Sequence, residues 1–159
     1  MKTLDVVLDL KFDSCPYKLG LRKVKMYGGP YKQRPSGTFG VKMAAEINTA
    51  CDANIPTKDF SVPNTGDLLK GLERGLWALS MGMDVYVGCM GGIGRTGLYM
   101  AAMAKVLGIP DPIDHVREHY NEHAVETTEQ VRFIELLDVR SLKNMAMVAG
   151  LVRTAIFWK

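Results

Sequence analysis

The residues best suited to chemistry lie in one glycine-rich stretch, Cys89 to Gly97, which reads CMGGIGRTG. It follows an apolar, strand-like run and precedes an apolar, helical one. Glycines in such a turn let successive backbone N–H groups face one concavity, and the helix N-terminus adds the positive end of its dipole. Cys89 and Arg95 stand at the two ends of this loop, so both would reach a tetrahedral anion held inside it. The stretch therefore predicts a phosphate site with a nucleophile.

Each side chain of the loop has a distinct chemical capacity. Surroundings of this kind favour thiolate over thiol at Cys89. The planar guanidinium of Arg95 matches two phosphate oxygens, which a lysine could not do. The Thr96 hydroxyl is placed to donate to the sulfur and help it leave in a second step. The predicted phosphate-binding set adds the loop backbone to Arg95: Met90, Gly91, Gly92, Ile93 and Gly94.

Three other interpretations of the stretch remain open from the residues alone. Cys89 could be a buried structural cysteine, although that leaves the glycines and Arg95 unexplained. Gly92 to Gly97 matches G-x-G-x-x-G, but the acids about 20 positions on, Asp114 and Glu118, lie in a helical pattern. The stretch is also a near miss for a nucleotide-binding P-loop, with cysteine for the first glycine and arginine for the lysine.

Cys89, Arg95 and Thr96 form the pattern C-x5-R-[ST], which resembles the signature loop of the cysteine-based protein tyrosine phosphatase superfamily. The glycine-rich run is most similar to the dual-specificity branch. The resemblance implies a phosphatase that hydrolyses phosphotyrosine through a phosphocysteine intermediate. If its pocket is shallow, the enzyme would also accept phosphoserine and phosphothreonine. It implies no metal and no organic cofactor. Most members carry a histidine before the cysteine that helps to hold the thiolate, and this chain has Gly88 there.

A second motif supports the same resemblance. Asp59 to Pro63, Asp-Phe-Ser-Val-Pro, resembles the family's acid loop and lies 30 residues before Cys89. A carboxylic acid on a loop above the phosphate can protonate the departing oxygen as the P–O bond breaks. The resemblance gives that role to Asp59. Asp52 is a competing candidate, but no Val-Pro follows it.

A third motif follows later in the chain. Val125 to Gln130, Val-Glu-Thr-Thr-Glu-Gln, resembles the family's glutamine loop, in which the glutamine positions the water that hydrolyses the phosphocysteine. The resemblance gives that role to Gln130. The same residues fit a capping box, with Thr127 at the N-cap and Gln130 three positions on. The two interpretations are compatible.

The surrounding pattern predicts an α/β fold: a central, mostly parallel sheet flanked by helices, in a single domain over residues 1–159. The match to the family is less clear over residues 1–54. Predicted strands are Thr3 to Leu10, Leu21 to Tyr27, Phe39 to Ile47 and Val85 to Gly88, with a loop from Ile55 to Pro63. Predicted helices run from about Asp67 to Ser80, from Leu98 to Leu107, after a cap at Asp111, after Thr127, and over residues 141–159.

Composition narrows the function further. The chain is 47% hydrophobic and 23% charged with a formal charge of +3, which suits an anionic ligand without implying nucleic acid. Three cysteines without a C-x-x-C pair argue against a disulfide framework or a zinc site and favour a cytoplasmic protein. No stretch has the roughly 18 apolar residues of a membrane span. The expected partner is a phosphorylated protein.

Several alternatives remain open. A basic cluster is either a solvated face or a rim that attracts acidic substrates: Lys18, Arg22, Lys23, Lys25, Lys32 and Arg34. His115, His119 and His123 recur at helical spacing that could hold a metal, although exposed helix histidines explain them as well. Because Gly88 replaces the usual histidine, the chain could also be a phosphate-loop module that binds a phosphorylated protein or nucleotide with little turnover. A third alternative is an interaction role centred on the C-terminal helix.

Overall fold

The computed structural model describes residues 2–4 and 24–148, with the backbone alone at 2–4, 147 and 148. Its core is a five-stranded sheet in the order β1-β2-β5-β3-β4, in which β1 is antiparallel to β2 and the other neighbours are parallel. The predicted α/β class and mostly parallel sheet are confirmed. The strands are β1 Lys2–Leu4, β2 Met26–Pro30, β3 Phe39–Ala44, β4 Ala53–Thr57 and β5 Val85–Cys89.

Strand β5 occupies the centre of the sheet. Val85, Tyr86 and Val87 are fully buried, as expected for a parallel strand that is covered on both faces. The strand pairs with β2 on one side and β3 on the other, and all three run in the same direction. Their carboxyl ends therefore meet at one edge of the sheet, which is where open α/β sheets bind ligands.

The described part of the chain has five α-helices: α1 Thr65–Ser80, α2 Gly94–Val106, α3 Pro112–His119, α4 Thr128–Leu136 and α5 Arg140–Val148. Helices α1 and α2 pack on the sheet, and the other three pack on these two helices. Every residue of α2 except Lys105 is buried, which confirms the predicted central helix. Asn64 caps α1 by accepting from the Asp67 N–H at 3.2 Å. The predicted capping box of α4, between Thr127 and Gln130, is also present.

Two predicted elements need correction. The segment from Ile55 to Pro63 is not all loop, because Ala53–Thr57 forms the edge strand β4. Pro56 is tolerated there because an edge strand leaves one side of its backbone unpaired. Of the strand predicted from Leu21 to Tyr27, residues 21–23 lie outside the described residues, and β2 runs from Met26 through two glycines to Pro30.

The ends of the chain match the predictions in part. Lys2–Leu4 is a strand, while the rest of the predicted first strand lies outside the described residues. Helix α5 begins at Arg140, before the predicted start, and residues 149–159 lie outside the described part. Asp111 precedes α3 as expected, with Pro112 first in the helix, but its side chain makes no capping bond to any described residue.

Candidate active site

The nucleophile candidate lies at the junction of β5 and α2. Cys89 is the last residue of β5, and α2 begins at Gly94. The buried Sγ of Cys89 accepts hydrogen bonds from the Gly92 N–H at 3.2 Å and the Thr96 hydroxyl at 3.3 Å. Donors aimed at a sulfur stabilise it when it carries negative charge. The loop over residues 90–93 thus has the curled form expected of a phosphate site.

Arg95 lies at the other end of the loop and is 2% exposed. Its Nη1 donates to Glu46 Oε2 and to the Thr57 carbonyl, both at 2.8 Å, and its Nη2 donates to Glu46 Oε1 at 2.6 Å. The Glu46 hydrogen bonds raise the pKa of Arg95 and lower that of Glu46. The guanidinium is therefore fixed before any ligand arrives. Among the described residues, no acceptor faces Arg95 Nε.

The structure brings Asp59 to this arginine and leaves Asp52 elsewhere. Asp59 Oδ1 lies 3.1 Å from Arg95 Nη2, on the loop that follows β4, and the residue is 58% exposed. The next residue, Phe60, is exposed and has a positive φ of 56°. Asp52, just before β4, instead accepts from the Gly40 N–H of β3 at 2.7 Å and pairs with Arg34 at 2.5 Å. It therefore connects the start of β4 to β3.

Gln130 is fully buried and is held at both ends of its amide. Its Oε1 accepts from the Glu126 N–H at 2.9 Å and the Thr127 N–H at 3.5 Å, and its Nε2 donates to the Ser61 carbonyl at 3.0 Å. The side chain therefore connects the start of α4 to the loop that carries Asp59. Its role with a hydrolytic water stays a prediction.

Two residues near the loop were not found from the sequence. Glu46 lies 49 residues before Arg95, after β3, in no recognisable motif. Tyr120, just after α3, donates its hydroxyl to the Gly92 carbonyl at 2.5 Å. The helical pattern of the sequence around Tyr120 gives no sign of a polar contact with the loop.

The other sequence candidates do not join this site. Among residues 24–148, no group of three His, Cys, Asp or Glu side chains could hold a metal ion. The rings of His115 and His119 stack at 4.3 Å, and His123 lies beside Glu122. In the basic cluster, Arg34 is engaged by Asp52, while Lys18, Arg22 and Lys23 lie outside the described residues. None of the described helices is long and apolar enough to cross a membrane.

Comparison by sequence gives partial matches. No family model matches the chain. Two uncharacterized proteins of Methanocaldococcus jannaschii are each 40% identical over 80 residues, which is half of this chain and 54% and 50% of theirs. The chain thus spans about half the length of the curated relatives it matches.

Solved structures match over much more of the chain. Tk-PTP in its active form has a TM-score of 0.62 at 23% identity, covering 82% of this chain and 99% of that one. The catalytic domain of the PP-IP phosphatase SIW14 from S. cerevisiae has 0.59 at 13%, covering 82% and 90%. PTPMT1 has 0.55 at 20%, covering 70% and 82%. The chain has the fold of the cysteine-based protein tyrosine phosphatases, and the predicted resemblance is confirmed for the fold.

Proposed function

We propose that this chain is a cysteine-dependent phosphatase that hydrolyses phosphate monoesters on proteins. One observation carries the proposal: the Cys89 sulfur, with two hydrogen-bond donors aimed at it, shares its loop with a buried arginine that also touches Asp59. Nucleophile and phosphate ligand, which share one loop, are thus brought together with the acid from a separate part of the chain. This arrangement suits attack on phosphorus better than a structural role for the cysteine.

In the first step, the Cys89 thiolate attacks phosphorus as the bond to the leaving oxygen breaks. Arg95 and the loop N–H groups stabilise charge on the equatorial oxygens, which is electrostatic positioning rather than covalent help. Asp59, on an exposed loop above Arg95, gives its proton to the leaving oxygen. The product of this step is a phosphocysteine at residue 89.

In the second step, water attacks the phosphocysteine and the sulfur departs as thiolate. Asp59, now a carboxylate, accepts the proton of the water. The Thr96 hydroxyl, 3.3 Å from the sulfur, stabilises the departing thiolate. Gln130 would direct this water once its Nε2 leaves the Ser61 carbonyl and donates to the water instead. This chemistry requires no metal or organic cofactor.

The charges around the loop favour a phosphoprotein over a polyanionic substrate. Residues 90–94 are uncharged, and two carboxylates, Glu46 and Asp59, already contact Arg95. Among the described residues, the loop itself thus offers one buried cation, Arg95, to a second phosphate. SIW14 is named a PP-IP phosphatase, and PTPMT1 was crystallised with PI(5)P. We propose that this site prefers phosphotyrosine over inositol phosphates and phosphoinositides. If the pocket is shallow, phosphoserine and phosphothreonine are preferred over these polyanions as well.

The deciding experiment is hydrolysis of p-nitrophenyl phosphate by wild type, Cys89→Ser and Asp59→Asn between pH 5 and 8. We expect turnover to vanish in Cys89→Ser and to fall at least tenfold in Asp59→Asn. Asp52→Asn is the control, because that carboxylate contacts the sheet and not Arg95. Equal losses in the two aspartate variants would refute the assignment of Asp59.

A second candidate function rests on Gly88 and on the occupied amide of Gln130. A chain that lacks the family's histidine and holds its glutamine on backbone groups could bind phosphate with little turnover. The chain would then sequester a phosphorylated protein or nucleotide. The two functions separate if wild type shows no hydrolysis while phosphate or vanadate still protects Cys89 from iodoacetate.

A further inference from the structure

The base of the phosphate loop packs backbone against backbone. A Cβ at residue 88 would lie 2.7 Å from the Gly29 carbonyl oxygen and 2.8 Å from the Tyr31 nitrogen. A Cβ at residue 92, where φ is +72°, would lie 2.5 Å from the Pro30 nitrogen. No side chain at position 88 can therefore reach the loop from the strand that carries the cysteine. The loop must be held from another direction.

Tyr120 supplies a contact from the α3 side. It is 4% exposed, and a Cβ at Gly28 would lie 2.6 Å from its ring, so the phenol occupies the space next to β2. Its hydroxyl lies 2.5 Å from the Gly92 carbonyl oxygen. A carbonyl can only accept, so the phenol must donate its proton. Burial raises the pKa of Tyr120, so the proton stays in place over the range of the assay.

Fixing this carbonyl also fixes the next donor along the chain. No peptide bond in the described residues is cis, so the Gly92 C=O and the Ile93 N–H point in opposite directions. With the carbonyl held on Tyr120, the Ile93 N–H faces away from Tyr120. The N–H of Gly92 itself already points at the Cys89 sulfur. These two donors lie in the peptide groups on either side of the Gly92 Cα, so a contact that restrains Gly92 acts directly on the Ile93 N–H and through the Gly92 dihedral angles on its own N–H.

We infer that Tyr120 is a positioning residue of the phosphate loop: through Gly92 it directs the Ile93 N–H at the bound anion and the Gly92 N–H at the Cys89 sulfur. Tyr120 does not touch the reacting atoms. The inference rests on the proposed phosphate site, and it assigns the support of the loop to the residue that follows α3.

The chain contains a matched control. Tyr99, in α2, is fully buried and donates its hydroxyl to the Gly71 carbonyl at 3.1 Å, in the contact with α1. Tyr99→Phe and Tyr120→Phe each remove one buried hydroxyl that serves one backbone carbonyl. Both variants should lose similar stability, because each leaves one buried carbonyl without its side-chain donor. Effects on the loop that appear in Tyr120→Phe alone report positioning.

The test measures iodoacetate alkylation of Cys89 by peptide mass spectrometry, with and without inorganic phosphate, together with kcat and KM on p-nitrophenyl phosphate. We expect Tyr120→Phe to need at least fivefold more phosphate than wild type for half-protection of Cys89 from alkylation. The alkylation rate at pH 6, divided by the rate at pH 9, should be several-fold lower than in wild type. Its kcat/KM should fall at least tenfold. Tyr99→Phe should stay within twofold of wild type in all three.

Equal phosphate protection and alkylation in the two variants would overturn the inference, whatever the turnover. A wild type that is protected by phosphate but does not hydrolyse it from an ester would refute the proposed catalysis and leave this comparison intact. If Tyr120→Phe does not fold, the inference is tested on wild type by following its backbone amide signals in an NMR spectrum. The Ile93 amide proton should shift downfield on adding phosphate, and an unshifted signal would refute the orientation.

Discussion

Arg95 is held by two carboxylates and a carbonyl before any substrate is present. Its bidentate pair with Glu46 sets the plane of the guanidinium, and the Thr57 carbonyl fixes it from β4. Charge-assisted bonds of this kind are shorter and stronger than neutral ones. A guanidinium that does not need to reorient when phosphate arrives provides electrostatic stabilisation without reorganisation. Glu46 therefore belongs to the site although it need not touch the substrate.

Glu46→Gln tests whether this carboxylate orients Arg95. The amide keeps the size of the side chain but removes its charge and one of its two equivalent acceptors, so Arg95 should become less well oriented. We expect kcat/KM on p-nitrophenyl phosphate to fall about 10- to 100-fold. Glu73→Gln, on the exposed face of α1, should be unchanged. An unaltered kcat/KM in Glu46→Gln would show that Thr57 and the loop suffice.

The same pair predicts a dependence of stability on pH. Hydrogen bonds from Arg95 lower the pKa of Glu46 in the folded chain. The stabilising contribution is therefore complete above the ordinary glutamate value of about 4.3 and is lost as pH falls through the lower folded value. The difference in unfolding free energy between wild type and Glu46→Gln should be largest near pH 6 and should shrink towards pH 3. Denaturant melts at several pH values measure it.

A histidine at position 88 should harm this chain. Gly88→His places a side chain against the backbone of Gly29 and Tyr31, so the strands must separate. Overpacking costs 1–3 kcal/mol or more in a tight core, and we expect about 3 kcal/mol together with lower phosphate affinity. Gly91→Ala, where a Cβ meets nothing within 4 Å among the described residues, is the stability control. A Gly88→His protein as stable as wild type would contradict this packing.

At the scale of elements, the site is made by loops that follow parallel strands. Strand β5 delivers Cys89, β4 leads to Asp59, and the segment after β3 carries Glu46, because all three strands end at one edge of the sheet. Helix α4 joins them through a single amide, since Gln130 connects its capping box to Ser61. The position of the acid loop is thus coupled to the start of a helix that follows the signature loop by 30 residues.

Gln130→Glu separates the cap from this connection. A glutamate at this position can still accept from the N-cap backbone, but its carboxylate cannot donate to the Ser61 carbonyl. We expect the buried carboxylate, which faces the Ser61 carbonyl, to lower the unfolding free energy by about 1–3 kcal/mol or more and to loosen the loop that carries Asp59. Turnover should therefore fall more for phenyl phosphate, whose leaving group needs a proton, than for p-nitrophenyl phosphate. Gln130→Ala, which removes both functions, should also destabilise α4, and equal losses on the two substrates would argue against the coupling.

What the sequence could predict follows from the range of each interaction. Helix α2, the capping box of α4 and the loop from Cys89 to Arg95 depend on neighbouring residues, so local pattern sufficed. Strand β4 was missed because Pro56 is a typical loop signal. A proline fits in a strand at the edge of a sheet, and only the assembled sheet shows that β4 has this position. Glu46 and Tyr120 contact the loop from 49 and 28 residues away. No local pattern records either contact.

At the scale of the whole molecule, α5 closes the core over the helices that support the site. It contacts both α1 and α2, and its Leu142 is 4% exposed. Leu142→Ala should lower the unfolding free energy by about 2–5 kcal/mol while leaving kcat/KM of the folded protein unchanged. Met145→Ala, at a position 39% exposed, should change it by about 0.5 kcal/mol or less. Lost activity in a folded Leu142→Ala protein would instead favour a functional role for this helix.

The buried Arg95 Nε, which faces no acceptor among residues 24–148, has a practical consequence. A donor left unmatched by folding gains its partner when an oxyanion enters the loop, so occupancy and folding are thermodynamically linked. A ligand at 100 times its dissociation constant stabilises the native state by about 2.7 kcal/mol. Phosphate or vanadate in the buffer should therefore protect the protein during purification and storage, and a rise in melting temperature offers a way to screen inhibitors before any natural substrate is known.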